Sequence, residues 1–416
     1  MNPGKLLIIG KNWPEPLATA AGARMLQLIS CFKEAGYTII FASTALPAAL
    51  SADLEKYLQA GEQIRLNDNS FDSWIRDLQP SLVLFDRFMI EEQFGWSVAE
   101  QLPSAVRLLD TEDLHSLRMV RKEGLGKNRP FAISDWLSHE CTLRELASIY
   151  RCDLSLIIST YEMQLLTGHA GTNNNLLQHL PFMFDPVTFH GLPSYEQRQG
   201  FIFIGNGLHS PNTDATLWLK SEIWPHIRRE LPDASIDICG AYLPERIKDL
   251  HDPGQGFHVK GWVEDASAKM QNARVQLAPL RFGAGVKGKL ADGMRWGTPS
   301  VTTSVGAEGM HGNLPWAGSI ANSPAEFAKE AVRLYKNARA WGEAQLQGGE
   351  IINTLYPKSA HGSSLIAAIA SLRENLKQHR AGNVVGAILQ HDRQASTKYM
   401  SKWIEAKNAL QSGKLV

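Results

Sequence analysis

The chain has 416 residues, 44% of them hydrophobic and 20% charged, which excludes both a single small module and a disordered chain and predicts two or three globular domains. Lys plus Arg and Asp plus Glu number 42 each, so there is no overall positive field of the kind that binds nucleic acid. The four cysteines are scattered, without the paired spacing of a zinc site or a disulfide framework, and we expect a protein of the reducing cytoplasm.

Short, continuously apolar runs alternate with helical patterns through the first half of the chain. KLLIIG at residues 5–10 precedes a helical pattern over 21–36 and a second apolar run, YTIIFAS, and SLVLFD, AVRLLD and LSLIIS follow further along. Such runs are typical of a parallel sheet covered by helices on both faces and joined by right-handed crossovers. We therefore predict a Rossmann-like, doubly wound domain over residues 1–190.

A polar break precedes a second set of strands. Residues 185–200 contain two Pro and two Gly without any apolar period, which indicates a linker. FIFIG, SIDICG, FHVKGWV, RVQLAPL and SVTTS then predict a second Rossmann-like domain over residues 191–358. The predicted fold class is α/β, with two doubly wound domains facing a cleft, where ligands bind at the carboxyl ends of the strands.

The end of the chain, residues 359–416, is predicted to be helical and basic. From Ser371 onward it carries eight Lys or Arg against three Asp or Glu. We interpret this segment as helices that pack back on the body, and a contact with a partner or the inner face of the membrane stays open as the alternative. Its longest apolar stretch, LIAAIASL, is far shorter than the roughly 20 residues of a spanning helix, so any membrane contact is peripheral.

The strongest chemical signal is the segment RFGAGVKGKLADGMRWGTP, which follows the strand RVQLAPL. Gly283 and Gly285 loosen the backbone, and a helix is predicted to begin near Val286. The positive end of that helix, together with Lys287 and Lys289, favours a phosphate or diphosphate.

Asp292 extends the polar face of the same predicted helix. It lies three residues after Lys289, where its carboxylate could hold a ribose diol. The plain alternative for the whole segment is a tight glycine turn with solvated lysines. GAGVKGKL also comes close to a P-loop, but Leu290 stands where that motif needs a magnesium-binding hydroxyl, which disfavours a kinase or ATPase.

A second glycine turn follows the strand FIFIG. Gly205, Asn206 and Gly207 come directly after the strand, and His209 follows two residues later. The functional interpretation is that this turn lines the cleft and that Asn206 or His209 touches the ligand. The alternative is that its polar residues only cap the next helix.

Two features of the first half point toward the same cleft. Gly22 and Arg24 lie at the start of the first helix, where Arg24 could reach an acceptor or a diphosphate, the alternative being a surface arginine. Glu112, Asp113 and His115 follow the strand AVRLLD, where they could orient an acceptor or act as a base. Helix capping is the alternative, and metal binding is disfavoured because no second group of ligands converges there.

The second half resembles the carboxyl-terminal domain of retaining glycosyltransferases of the group 1 type, which have the GT-B fold. The resemblance lies in FIFIGNGLHSPNTDATLW, SIDICG and the long segment GWVEDASAKMQNARVQLAPLRFGAGVKGKLADGMRWGTPSVTTSVGAEG, between residues 201 and 309. It implies that the chain transfers a sugar from a nucleotide diphosphate sugar, UDP- or GDP-linked, to an acceptor hydroxyl with retention of configuration. It further implies no cofactor and no metal, and a glycan, lipid-linked or protein acceptor, as in polysaccharide biosynthesis.

The resemblance also assigns residues. Lys287 and Lys289 are implied to contact the diphosphate and stabilise its departure, and Asp292 stands where the family usually has a ribose-binding Glu. Backbone around Val263 is implied to face the base. The sugar-binding turn corresponds to Phe282, Gly283, Ala284 and Gly285.

Three positions depart from the family pattern and leave other functions open. Ala284 occupies the place of a common Glu, the usual basic residue is missing from GNGLHSPNTDA, and Glu112 takes the place of a common His. One alternative is a catalytically weak nucleotide-sugar-binding scaffold of a glycan assembly complex. The other is a sugar-nucleotide epimerase of the same fold.

Overall fold

The structure, a computed structural model, describes residues 3–54, 56–68, 70–391 and 403. Most of the basic segment that the sequence predicts beyond residue 391 therefore lies outside the described residues. Within them we find no helix with the length and apolarity needed to cross a membrane.

The first domain is built on a parallel sheet of seven strands in the order β3-β2-β1-β4-β5-β6-β7. The strands are β1 Lys5–Gly10, β2 Thr38–Ser43, β3 Ala60–Gln63, β4 Leu82–Asp86, β5 Val106–Asp110, β6 Leu154–Ile157 and β7 Leu177–His179. The helices are α1 Ala20–Glu34, α2 Ser70–Leu78, α3 Phe88–Gln101, α4 His115–Gly126, α5 Ile133–Ser138, α6 Glu140–Arg151 and α7 Thr160–Gln164, with a π turn at Leu165–His169 and a 3-10 turn at Asn174–Leu176.

The second domain has a parallel sheet of six strands in the order β10-β9-β8-β11-β12-β13. These are β8 Phe201–Ile204, β9 Ile236–Cys239, β10 Phe257–Gly261, β11 Val275–Ala278, β12 Ser300–Thr302 and β13 Gly318–Ile320. Its helices are α8 Ser210–Trp218, α9 Trp224–Glu230, α10 Glu245–Lys248, α11 Ala266–Asn272, α12 Gly288–Arg295, α13 Ser304–Ala307, α14 Pro324–Lys336 and α15 Ala338–Leu355, with a π turn at Leu219–Ile223 and a 3-10 turn at Pro253–Gln255.

Burial explains why the strand runs are continuously apolar. Alternate side chains of β1 enter opposite cores: Leu7 and Ile9 join one cluster, and Leu6 and Ile8 join the other. Because both sheet faces are covered, neither set can be polar. The predicted α/β class with two doubly wound domains is confirmed.

The last described helices return from the second domain to the first. Helices α16 Lys358–Glu374, α17 Leu376–Gly382 and α18 Val384–His391 follow the second domain. Leu365, Ile369 and Leu372 of α16 are buried in the first-domain cluster that also holds Leu6 and Ile8. The described part of the helical extension thus packs back on the body.

Candidate active site in the interdomain cleft

A cavity of about 1000 Å³ separates the two domains at the carboxyl ends of their strands. Most of the site residues predicted from the sequence line it, with contributions from both domains. They are Gly22, Glu112, Asp113, His115, Gly205, Asn206, Phe282, Gly283, Ala284, Lys287, Lys289 and Asp292. Arg24, Gly207, Val263 and Gly285 do not line it.

Helix α12 presents its amino end to this cavity. It begins at Gly288, two residues later than predicted, and Lys287 is its N-cap. Buried Leu290 and Met294 anchor it to the second domain. A Cβ at position 288 would lie 2.6 Å from the Cβ of Ala20, so glycine allows the helix end to approach α1 closely. Among the described residues the amides of Gly288 and Lys289 have no partner and are available to an anion, whereas the Leu290 amide donates to the Lys287 carbonyl at 2.8 Å.

The two lysines at this helix end form a desolvated cationic pair. Lys287 Nζ donates to the Gly285 carbonyl at 2.9 Å, and Lys289 Nζ donates to Asn212 Oδ1. Burial lowers the pKa of Lys287 to about 8, and burial together with the charge of Lys287 lowers the pKa of Lys289 to about 7. Within the described part of the chain neither lysine has a carboxylate in ion-pair range. Two desolvated ammonium groups without a counter-ion suit a diphosphate.

Asp292 lies one turn further along α12. Its side chain is half exposed in the cleft, and Oδ1 accepts from Arg295 Nη1 at 3.1 Å. Val263, by contrast, lines a separate groove of about 490 Å³. Glu264 and Asp265, directly after it, line the main cavity, so the expectation that backbone around Val263 faces the base stays a prediction.

The glycine turn after β8 contacts the first domain. Asn206 Nδ2 donates to the Ala18 carbonyl at 3.2 Å, across the cleft. The Gly207 amide donates to the Ala241 carbonyl at 2.9 Å within the second domain, and the predicted contact of Gly207 with a ligand stays a prediction. Helix α8 has His209 as its N-cap without a side-chain capping bond, so capping does not explain the polar residues of this turn.

Arg24 has a structural role and does not reach the cleft. It is 1% exposed, and its guanidinium donates to both carboxylate oxygens of Asp110 and to the carbonyls of Leu180 and Pro181. Every one of its nitrogens is therefore bonded inside the first domain. The expectation that Arg24 binds an acceptor or a diphosphate is corrected, whereas Gly22 does line the cavity.

The residues after β5 form a buried polar cluster at the cleft. Glu112 has a left-handed backbone, with φ 62°, and its Oε1 is buried without a hydrogen-bond partner among the described residues. Burial and the charge of Asp110 raise the pKa of Glu112 to about 8. Burial lowers the pKa of His115 to about 3, so its imidazole is neutral at pH 7.

Asp113 differs from its neighbours in the cluster. It accepts from Arg118 and lies 3.4 Å from His115 Nε2. Burial alone would raise the pKa of Asp113, but Arg118 and the two neighbouring histidines hold it well below its usual range. Among the described residues no group of three or more His, Cys, Asp or Glu is placed to hold a metal ion.

The cleft also contains residues that the sequence did not predict as part of a site. Lys11 follows β1, Asp86 ends β4 and Arg87 follows β4. All three line the cavity beside the Glu112 cluster. A signal for them existed, since each lies at the end of a continuously apolar strand, as Glu112 does.

Two further residues that the sequence did not predict as part of a site connect the turn over residues 282–285 to the first domain. Arg121 of α4 donates to the Gly283 carbonyl at 2.9 Å and to both carboxylate oxygens of Glu308. Glu162 Oε1 accepts from the amides of Leu114 at 2.9 Å and Gly285 at 2.8 Å. The turn over residues 282–285 is thereby held from across the cleft.

The second domain is similar in sequence to known proteins. Residues 198–337 match the family model described as Glycosyl transferases group 1, which covers less than half of the chain. A curated relative, an uncharacterized 44.6 kDa protein in the cps region of Klebsiella pneumoniae, is 26% identical over 192 residues. That match covers 44% of this chain and 48% of the relative, so the chain spans about half the length of the curated relative it matches.

Similar solved structures cover more of the chain. HepE of Anabaena, crystallised with UDP and glucose, is 11% identical with a TM-score of 0.65, covering 89% of this chain and 100% of HepE. Sucrose-phosphate synthase of Thermosynechococcus elongatus gives a TM-score of 0.66 at 14% identity, covering 88% of this chain and 99% of the synthase. WaaG, a glycosyltransferase involved in lipopolysaccharide biosynthesis, gives 0.60 at 13% identity, covering 86% of this chain and 98% of WaaG. The resemblance to group 1 glycosyltransferases is thus confirmed over residues 198–337, and the GT-B arrangement of two Rossmann-like domains is confirmed over most of the chain.

Proposed function

We propose that this chain is a glycosyltransferase that moves a sugar from a nucleotide diphosphate sugar to an acceptor hydroxyl. The observation that carries the proposal is the desolvated pair of Lys287 and Lys289 at the amino end of α12, facing the cleft without a counter-ion among the described residues. Both lysines lie inside the segment that matches the group 1 family model. UDP in the similar HepE structure favours a UDP-linked donor, and a GDP-linked donor is the alternative.

The lysines would act on the bond that breaks. When the bond between the sugar and the diphosphate breaks, negative charge builds up on the departing diphosphate. Lys287, Lys289 and the first amides of α12 stabilise that charge in a site with little water. Two ammonium groups supply the positive charge that a divalent cation supplies elsewhere, so we propose transfer without a metal. Asp292 would hold the ribose hydroxyls one turn away.

The first domain would hold the acceptor. The carboxyl of Glu112, with a pKa of about 8, keeps its proton at pH 7, and Asp113 is bound to Arg118. Neither is suited to remove a proton, so we assign Glu112, Asp113 and His115 to orienting the acceptor. The hydroxyl proton then passes to the departing diphosphate while oxygen attacks the same face of the sugar, which retains the configuration.

The biological setting is proposed from the relatives. A curated relative is encoded in a cps region, and WaaG takes part in lipopolysaccharide biosynthesis. These favour a role in polysaccharide or glycoconjugate synthesis in the cytoplasm, at most peripheral to the membrane. The acceptor is then a glycan, free or lipid-linked, with a protein as the alternative.

The residue at position 284 favours a second candidate function, that of a nucleotide-sugar-binding scaffold. Ala284 has only a methyl group where the related enzymes commonly have a Glu, and it packs against the hydrophobic core of the first domain. A scaffold would bind nucleotide yet leave the donor intact with every acceptor. Donor turnover therefore separates the two candidates, and conversion of the donor without an acceptor would indicate the epimerase.

The first experiment is a thermal-shift panel of UDP, GDP, ADP, CDP and dTDP, with and without Mg²⁺. Ligand at about 100 times its dissociation constant adds about 2.7 kcal/mol of stability, so one diphosphate should raise the Tm independently of Mg²⁺. Lys287→Met and Lys289→Met should each weaken binding by about 1.5–3 kcal/mol, the range of a hydrogen bond to a charged group. Exposed Lys329 of α14 provides the control, Lys329→Met. An unchanged response in both cleft variants contradicts the site.

A further inference from the structure

The first-domain wall of the cleft contains two cations whose charged groups have no hydrogen-bond partner among the described residues. Arg87 is largely buried and lines the cavity, yet its guanidinium makes only a 3.7 Å ion pair with Asp86 Oδ1. Lys11 is exposed in the same cavity, and only its backbone is bonded, where its amide donates to Asp86 Oδ2 at 3.0 Å. Five guanidinium N–H donors facing a cavity invite an acceptor.

The backbone holds Arg87 in this position at a cost. Its φ is 76°, a left-handed conformation that non-glycine residues rarely adopt, and its amide donates to the Asp110 carbonyl at 2.8 Å. Such strain costs of order 1–3 kcal/mol and is found mostly at functional sites. Here it occurs at Arg87, which lies between β4 and α3 and lines the cleft.

Most of the neighbouring charges of this wall are paired. Arg24 pairs with Asp110, and Arg118 pairs with Asp113. The carboxyl of Glu112, with its pKa of about 8, is largely neutral at pH 7. Lys11 and Arg87 share the wall with Asp86 and with Glu15, whose Oε2 accepts from the Tyr242 hydroxyl, and burial together with the charge of Arg87 lowers the pKa of Lys11.

The same wall offers unused carboxyl oxygens. Asp86 Oδ1 and Glu112 Oε1 are both buried without a hydrogen-bond partner in the described part of the chain. A buried, unsatisfied polar atom is costly, and a sugar hydroxyl is a suitable partner for each. Two cations that can bind an anionic group thus lie next to two carboxyl oxygens that can accept hydrogen bonds from hydroxyls.

We propose that the first-domain wall binds an acceptor sugar that carries an acidic group, with Arg87 and Lys11 contacting the acid and Asp86 and Glu112 bonding to hydroxyls. The acid is a carboxylate or a phosphate, since both accept from a guanidinium in the same way. This inference rests on the proposed function, because it takes this wall to be the acceptor side.

The test measures direct binding to the full chain without any nucleotide, at about 0.15 M salt so that long-range attraction is screened. The probes are methyl glucuronoside, glucose 6-phosphate and neutral methyl glucoside, titrated by saturation-transfer difference NMR. We expect at least one acidic sugar to bind about tenfold or more tightly than methyl glucoside, and the two acidic probes tell a carboxylate from a phosphate.

Variants locate the binding. Arg87→Gln and Lys11→Gln should each weaken the acidic sugar about 10- to 100-fold, whereas Arg129→Gln, at an exposed arginine of the first domain, should not. Equal binding of the neutral sugar, no binding of either acidic sugar, or an unchanged preference in both cleft variants overturns the proposal. Lys287→Met should leave this binding intact, so a failure of nucleotide binding is distinguished from a failure here.

Discussion

The two walls of the cleft differ in how their charged groups are arranged. The second-domain wall carries Lys287 and Lys289 at a helix end, with no carboxylate paired to either among the described residues. The first-domain wall interleaves acids with bases: Asp86, Glu112 and Asp113 lie beside Lys11, Arg87 and Arg118. Under the proposed function, the first arrangement would recognise charge, as a diphosphate common to all nucleotide donors requires. The second would recognise a pattern of donors and acceptors, as a particular acceptor requires.

We expect the two walls to contribute differently to substrate specificity. The lysines of the second-domain wall come from one turn of one helix, and under the proposed function a change there would alter the affinity for every diphosphate. The mixed wall is assembled from the ends of β1, β4 and β5, so a change at one strand end alters a single contact. We expect the acceptor to diverge between relatives more readily than the diphosphate site.

The largest expected effect on stability comes from removing the contact that joins the two walls. Arg121→Met removes the bonds to the Gly283 carbonyl and to Glu308 and leaves that carboxylate largely buried. Losing one partner of a buried pair costs about 3 kcal/mol in the free energy of unfolding, which urea denaturation measures. Arg144→Met breaks the more exposed pair with Glu92 and should cost less than about 1 kcal/mol. Equal losses would mean that Arg121 does not join the walls.

A second prediction concerns how the affinity of the two lysines for a diphosphate depends on pH. Bound diphosphate raises the pKa of both lysines, which is about 8 for Lys287 and about 7 for Lys289 in the free protein. Between pH 7 and 9 the free protein loses protons that the complex keeps, so affinity should fall about tenfold or more over this range. Calorimetric titration of the active diphosphate measures the fall. Lys289→Met should flatten it and Lys329→Met should not; a flat profile in the native chain would contradict the desolvated pair.

The smallest effect concerns the buried carboxyls of the first domain. Burial raises the pKa of Glu162 to about 8, and the unfolded chain releases that proton near pH 4. The folded state therefore holds an extra proton on Glu162 between these values, and the contribution of Glu162 to stability falls as pH rises from about 5 to 8. Glu162→Gln should remove this contribution and change the slope of stability against pH by about 1.4 kcal/mol per pH unit, the value for one proton, in denaturation at several pH values. The exposed pair member Glu123, changed to Gln, should leave the slope as it is.

Much of the fold was predictable because burial on both faces of a sheet forces apolar runs. The helix end with Lys287 and Lys289 was predictable too, because all its parts lie within one short segment. The clamp between Arg121 and Glu308 was not, since 187 residues separate the partners.

The role of Arg24 could not be predicted from the sequence for a different reason. Leu28 lies four residues after it, on the same face of α1, and both are buried. A charged residue within an apolar stripe indicates a buried ion pair, but the sequence does not name the partner, which lies 86 residues away at Asp110.

Helix α16 has a consequence for how the chain matures. Leu365, Ile369 and Leu372 complete a core that begins with Leu6 and Ile8. During synthesis the first domain leaves the ribosome with this side of its core uncovered, and only after the second domain has emerged does the missing helix follow. Part of the apolar surface of the first domain therefore stays exposed to water and to chaperones until residues 365–372 have been made. The order of translation thus places the second domain's folding before the first domain's completion.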